Sequence, residues 1–265
     1  MLRPSDSPFS AYNVSMQNRV RIVLVSPSGP ANVGAACRAM ANMGFSKLFV
    51  VSPRCDLDDE QAIAYSTHGR HVLDSIRVVD TIRDALTGCA LSFAMTARDG
   101  LYRTQAGMTA EEAARRTIQT TATGEVAFVF GPENQGLINE DLLEIDQIVH
   151  IPADPSYPVL NLAAAVMVMC YELQRTMLSA AAVTPEPADL ALDEHKAAMY
   201  DHLFSALGRL GFLFGPNPDR LKYALRHLYG RANLTVNECD ILTGMARQMH
   251  WYIDHHPRRI DPPDG

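Results

Sequence analysis

From Arg19 to about Met177 the chain alternates short apolar, β-branched runs with segments of helical periodicity, and that alternation leaves it few folds to choose from. The runs fall at residues 21–25, 47–51, 77–79, 90–95, 126–130 and 147–151. Helical segments between them include 33–43, 81–86, 110–121 and 160–177. Strands separated by helices are joined by crossovers, which give a parallel sheet, and such a sheet is covered on both faces. Local punctuation agrees. Asn32 is placed to cap the first helix and Gly44 to end it. Thr109-Ala-Glu-Glu112 reads as a capping box, and Gly124 closes the helix that follows.

The pattern changes after residue 177. Residues 178–193 carry prolines and acids without periodicity and read as a linker. Beyond it, helices are expected at 195–210, 219–229 and 236–253, with Thr235-Val-Asn-Glu238 as a second capping box. The expected organisation is a flexible arm at 1–18, an α/β domain at 19–177, the linker, a small all-α domain at 194–254 and a disordered tail at 255–265. A chain of 265 residues with 47% hydrophobic and 20% charged residues has room for this.

Composition excludes some functions. A net charge of −7 rules out a wholly basic nucleic-acid coat, although a local basic patch stays open. Five scattered cysteines, with no C-x-x-C pair, suit a reduced cytosolic protein. No metal-ligand spacing appears: His68 and His71, or His255 and His256, lack a supporting cluster. The first 18 residues have no apolar core of a signal peptide. The longest apolar stretch, 159–170, contains Asn161 and falls short of the roughly 20 residues a bilayer needs, so no membrane partner is expected.

Three blocks carry the candidate chemistry. The first, "SPSGPANVGAACRAMANMG" at 26–44, follows the first apolar run. Gly29 and Gly34 have P-loop spacing, but Ala35 and Ala36 stand where the lysine and hydroxyl should be. A dinucleotide fingerprint is absent too, which counts against a nucleotide-dependent oxidoreductase. A plain helix-capping loop is the remaining local reading. The second block, "VAFVFGPENQGL" at 126–137, runs a buried strand into a turn with Gly131 and Gly136, residues that let backbone approach a ligand. The third, "HIPADPSYPVLNLA" at 150–163, is a long irregular loop before an apolar helix.

In this order the blocks resemble those of the SPOUT superfamily of S-adenosylmethionine-dependent RNA methyltransferases, and most closely its TrmJ-like branch of tRNA/rRNA 2′-O-ribose methyltransferases. "NVGAACRAMANMGF" matches the first motif, "VFGPENQGLINEDL" the second and "IPADPSYPVLNLAAAV" the third. "MTAR" at 95–98 matches a cofactor-loop element, and "LRHLYGRANLTVNECDILTGM" the helical tail. The resemblance runs from about Val20 to Gln248.

The resemblance implies an α/β-knot, a parallel sheet ending in a deep trefoil knot, which ordinary topology rules would not suggest. It implies an S-adenosylmethionine site in which Met95, Thr96 and Ala97 line one side, Gly131 comes from the second block, and Ile151, Pro158, Val159 and Leu160 from the third. Arg38 matches the first-motif arginine, the expected catalytic residue. A guanidinium stays protonated near neutral pH, so Arg38 suits a charge clamp on phosphate and forming alkoxide better than a base. Asn32 and Glu133 match supporting residues, Glu133 anchoring the loop to Asn32 or Arg38, and Asn161 is expected to brace the knot. The chain departs from the family where serines usually precede Leu-Asn-Leu: it has Pro158 and Val159, so a hydroxyl for steering substrate is missing and Tyr157 is expected to help instead. That departure keeps open a SPOUT-fold RNA-binding protein with little activity. RNA, with tRNA favoured over rRNA and the target a cytidine or uridine at position 32 of the anticodon loop, would be met by Arg98 and Arg103 and by Arg220, Lys222, Arg226 and Arg231. A homodimer is implied, with the helix at 160–177 packed partly across the two-fold.

Overall fold

The computed structural model describes residues 16–97, 107–121, 123–180, 189–213 and 217–256. Seven strands form one sheet: β1 (Val20–Val25), β2 (Leu48–Val51), β3 (Arg77–Val79), β4 (Cys89–Met95), β5 (Met108–Thr109), β6 (Glu125–Phe130) and β7 (Gln147–His150). Their order is β3-β2-β1-β6-β4-β7-β5, and every neighbouring pair is parallel. All six expected strands are present within one residue of their expected bounds; β5 was not foreseen.

Ten α-helices are described: α1 (Pro30–Asn42), α2 (Glu60–Ser66), α3 (Arg70–Leu73), α4 (Ile82–Leu86), α5 (Ala110–Thr120), α6 (Asn139–Leu142), α7 (Leu162–Ala180), α8 (Asp193–Arg209), α9 (Asp219–Ala232) and α10 (Val236–His255). Successive strand residues point to opposite faces. Ile22, Leu24, Phe93 and Phe128 therefore pack under α1, α5 and α7, while Val23, Val25, Ala94 and Val129 pack with α4, α6 and Tyr223 of α9. The rings of Phe93 and Phe128 stack across β4 and β6 at 5.0 Å. Both expected capping boxes form, Thr109 with Glu112 and Thr235 with Glu238.

Three local expectations need correction. Asn32 does not cap α1. The helix starts at Pro30, with Gly29 as its cap and no side-chain cap bond. Proline suits that first turn because its φ is preset and its missing N–H has no helical partner to lose. The linker begins later than residue 178, because α7 runs to Ala180. The arm ends earlier than residue 18: Met16 is buried, and the Gln17 amide donates to the Met43 carbonyl (3.1 Å) and to Gln174 (2.7 Å). The rest of the arm, half of the expected linker and nearly all of the expected tail lie outside the described residues.

Helices α8 and α10 share a core of Met199, Tyr200, Leu203, Cys239 and Ala246. A buried polar cluster fastens this unit to the sheet. Lys196 of α8 donates to Asp146 (2.6 Å) and to the Ala90 carbonyl (3.0 Å). The same Asp146 oxygen accepts from the Ser92 N–H and hydroxyl. Arg226 of α9 lies 3.9 Å from Asp193 and over the Tyr200 ring, and donates to the Glu144 carbonyl. Arg226 is only 3% exposed, so it holds the molecule together and is removed from the expected RNA-contacting set. Its charge reads as surface in the sequence; Asp193 and Tyr200, distant in the chain, bury it. No described helix is long and apolar enough to cross a membrane.

Candidate active site

In open parallel sheets, ligands bind beyond the carboxyl ends of the strands. Strands β1, β6, β4 and β7 are consecutive neighbours, so the segments leaving them are brought side by side. Between those leaving β6, β4 and β7 lies a cavity of about 180 Å³. Its lining includes all eight residues expected at the methyl donor: Met95, Thr96, Ala97, Gly131, Ile151, Pro158, Val159 and Leu160. Phe130, Leu162 and Ala165 add apolar wall, and Pro132–Gly136 close one side. At Gly131 the chain folds back so tightly that a Cβ would sit 2.2 Å from the Leu137 nitrogen and 2.3 Å from the Gly136 carbonyl carbon. A backbone-rich cradle with apolar walls fits a ligand with a flat heterocycle and a short polar tail.

The loops are tied together by one carboxylate and two amides. Glu133 Oε2 accepts from the Ser28 N–H (3.0 Å) and Ser28 hydroxyl (2.9 Å). Its Oε1 accepts from the Gly29 N–H (3.1 Å) and the Asn32 amide (2.9 Å). Asn32 Oδ1 in turn accepts from Asn161 (2.9 Å), and Asn161 Oδ1 accepts from the Ala163 N–H (2.9 Å) at the start of α7. Each amide thus gives its N–H₂ to one side and its oxygen to the other, which fixes both orientations. Asn161 couples the third block to the first and caps α7. Glu133 anchors to Asn32 as expected, and to Ser28 and Gly29, which the sequence did not single out; no local signal marks Ser28. Partial burial acts to raise the Glu133 pKa, but the bonds it accepts outweigh this and hold it below the usual carboxylate range, so it stays ionised.

Arg38 lies on α1, off the buried stripe of Val33, Ala36 and Met40. It is exposed, has no hydrogen-bond or ion-pair partner among the described residues, and does not line the cavity. Tyr157 is 81% exposed, one residue from the cavity wall. Arg98 and Arg103 lie outside the described residues. Lys222 pairs with Asp219 at 3.0 Å on the outer surface of α9. Among the described residues no group of three or more His, Cys, Asp or Glu could hold a metal ion. All five cysteines are free, and burial pushes the Cys37 and Cys89 thiols up to about 12.

Comparison with known proteins gives this geometry its relatives. The profile of the SpoU rRNA Methylase family matches residues 19–171. The chain belongs to the SpoU methylase family. The methyl source of a SpoU methylase is S-adenosylmethionine. Residues 194–263 match the C-terminal domain of the tRNA methyltransferase TrmJ. A tRNA (cytidine/uridine/adenosine-2′-O-)-methyltransferase TrmJ from Pseudomonas aeruginosa is 38% identical over 243 residues, covering 88% of this chain and 94% of that protein. A tRNA (cytidine/uridine-2′-O-)-methyltransferase TrmJ from Yersinia enterocolitica is 36% identical over 251 residues, covering 92% and 96%. The crystal structure of TrmJ from Z. mobilis ZM4 superposes with a TM-score of 0.74 at 31% identity, over 87% of this SpoU methylase and 98% of that chain.

Proposed function

We propose that this SpoU methylase transfers a methyl group from S-adenosylmethionine to a ribose 2′-oxygen of tRNA, in the anticodon loop. The observation that carries the reading is one cavity into which the expected donor-binding residues of the 95–97 loop, the second block and the third block converge. When bound, S-adenosylmethionine supplies an electrophilic methyl group. Around it, the backbone of Met95–Ala97 and the Gly131 turn hold the polar ends, and Phe130, Ile151 and Leu160 exclude water. The ionised Glu133 keeps the first-block loop in place and moves no proton, so the proton of the 2′-hydroxyl is released to solvent as the O–CH3 bond forms. Arg38, with its charge unspent, grips RNA phosphate and stabilises negative charge growing on the 2′-oxygen; its guanidinium is too weak an acid to serve as base.

The chain is proposed to work as a cytosolic homodimer with a knotted catalytic domain at 19–177 and a helical domain at 194–254. Supporting the dimer, Ala164, Tyr171 and Leu178 form an exposed stripe along α7 at helical spacing, beside α1, which carries Arg38. Lys222 and the arginines at 98 and 103 remain proposed RNA contacts.

Calorimetry with S-adenosylmethionine, followed by tritium transfer to bulk tRNA, tests the reading. Binding with transfer is expected. Binding without transfer would leave an RNA-binding protein only. Arg38→Ala is expected to lose transfer by at least about a hundredfold while donor affinity is unchanged. Turnover near the wild-type rate would remove Arg38 from the reaction.

A further inference from the structure

We infer that Tyr157 is a stacking platform for the base of the target nucleotide, and that its ring, not its hydroxyl, performs the steering. This rests on the proposed activity. Tyr157 directly precedes the third-block residues that line the donor cavity. Pro158 and Val159 line the cavity itself, and Val159 is 57% exposed. Among the described residues Tyr157 is the most exposed large apolar side chain and makes no ring contact.

The backbone that carries the ring is fixed. The Tyr157 N–H donates to the Asp154 carbonyl (2.9 Å), and the Ser156 N–H to the Asp154 side chain (2.8 Å). This turn presents the ring to solvent instead of letting it fold onto the nearby apolar wall. Phe130, the aromatic residue in the cavity lining, is buried at the end of its strand and has no open face to offer a base.

A ribose brought to the cavity carries its base with it, and sequence-specific RNA recognition commonly splays loop bases out and stacks them on aromatic side chains. The unstacked base then exposes two apolar faces. A flat, solvent-facing ring one residue from the cavity wall covers one of them, and base–aromatic stacking contributes about 1–3 kcal/mol. An aromatic face reads no hydrogen-bond edge, so this contact holds a base without selecting which one.

The test uses an anticodon stem-loop RNA carrying 2-aminopurine at the target position, with the full-length protein. Binding to wild type is expected to quench the fluorophore, Tyr157→Phe to quench equally, and Tyr157→Ala to leave it bright. In methyl transfer, Tyr157→Ala is expected to raise KM for RNA at least about fivefold with donor affinity unchanged, and Tyr157→Phe to stay within about twofold of wild type. Equal quenching by the alanine variant overturns the inference. So does a phenylalanine variant as impaired as alanine, which would return the role to the hydroxyl. A changed oligomeric state in Tyr157→Ala with quenching intact would also overturn it, in favour of a contact between copies. The fluorescence reads stacking without turnover, so a wild-type protein that quenches but transfers no methyl would fail the proposed activity and not this inference.

Discussion

Glu133 shows how much one side chain can organise. Its two oxygens accept four bonds from Ser28, Gly29 and Asn32. In Glu133→Gln one oxygen becomes an N–H₂ facing donors, so half of the latch is lost and donors oppose donors. Donor affinity is expected to fall about tenfold, measured by calorimetry, because a charge-assisted bond contributes more than a neutral one. The sign of the pH effect follows from the lowered pKa. The unfolded chain takes up this proton more readily than the folded one. The stabilisation is therefore complete above the unfolded value, about 4.3, and is lost as pH falls through the folded value. Urea melts are expected to show wild type and Glu133→Gln converging toward acid pH; a gap that widens there would refute the assignment. The partnership of Glu133 with Asn32 was legible because both residues match motif positions of the family that the sequence resembles. The part played by Ser28 was not, since a serine in a loop looks alike whether or not a carboxylate lies across from it.

At the scale of elements, most strands were legible because buried parallel strands are rich in apolar, β-branched residues and punctuated at both ends; β3 is largely exposed and was legible only through its paired valines. Strand β5 has two residues, Met108 and Thr109, too few for any period. It exists because β7 offers an unpaired edge, with Met108 opposite Val149 and Thr109 opposite His150. The start of α1 was legible in Pro30 and was misread by giving weight to Asn32 as a cap, although that amide serves Glu133 and Asn161. The turn after β6 makes the sharpest prediction here. Gly131→Ala would drive a Cβ against main chain, which cannot swing away as a side chain does. Loss of donor binding by more than tenfold and a lower Tm are expected. Gly244 in α10, where a Cβ meets open space, is the counterpart: Gly244→Ala is expected to stabilise by about 1 kcal/mol in a denaturant melt. If both substitutions had equal effects, the crowding at Gly131 would not be what restricts it.

For the whole molecule, the decisive feature is the buried charge cluster between sheet and C-terminal helices. Burial raises the Asp146 pKa, but Lys196 and Arg226 outweigh it and keep Asp146 ionised. Lys196→Met strands that carboxylate and is expected to cost about 3–5 kcal/mol in urea unfolding. Asp193 goes the other way: burial first, then the Asp146 charge, raise it to about 7. A raised carboxyl favours the protonated folded state, so stability falls as pH climbs from the unfolded value of about 4 to about 7 and then levels. Asp193→Asn is expected to flatten that decline. None of this was legible beforehand, because lysine, arginine and aspartate on amphipathic helices look like solvated faces until a distant sheet covers them. A cut after the catalytic domain would also remove Lys196 and Arg226, so it would weaken the sheet along with any RNA contact.

Asn161 has a consequence in time as well as in space. The donor cavity needs the amide that reaches back 129 positions to Asn32 and opens α7. A nascent chain still short of that point has synthesised all seven strands yet has no finished pocket. Ligand binding cannot then guide the early steps of folding, and it rewards only chains whose last catalytic-domain helix has already docked.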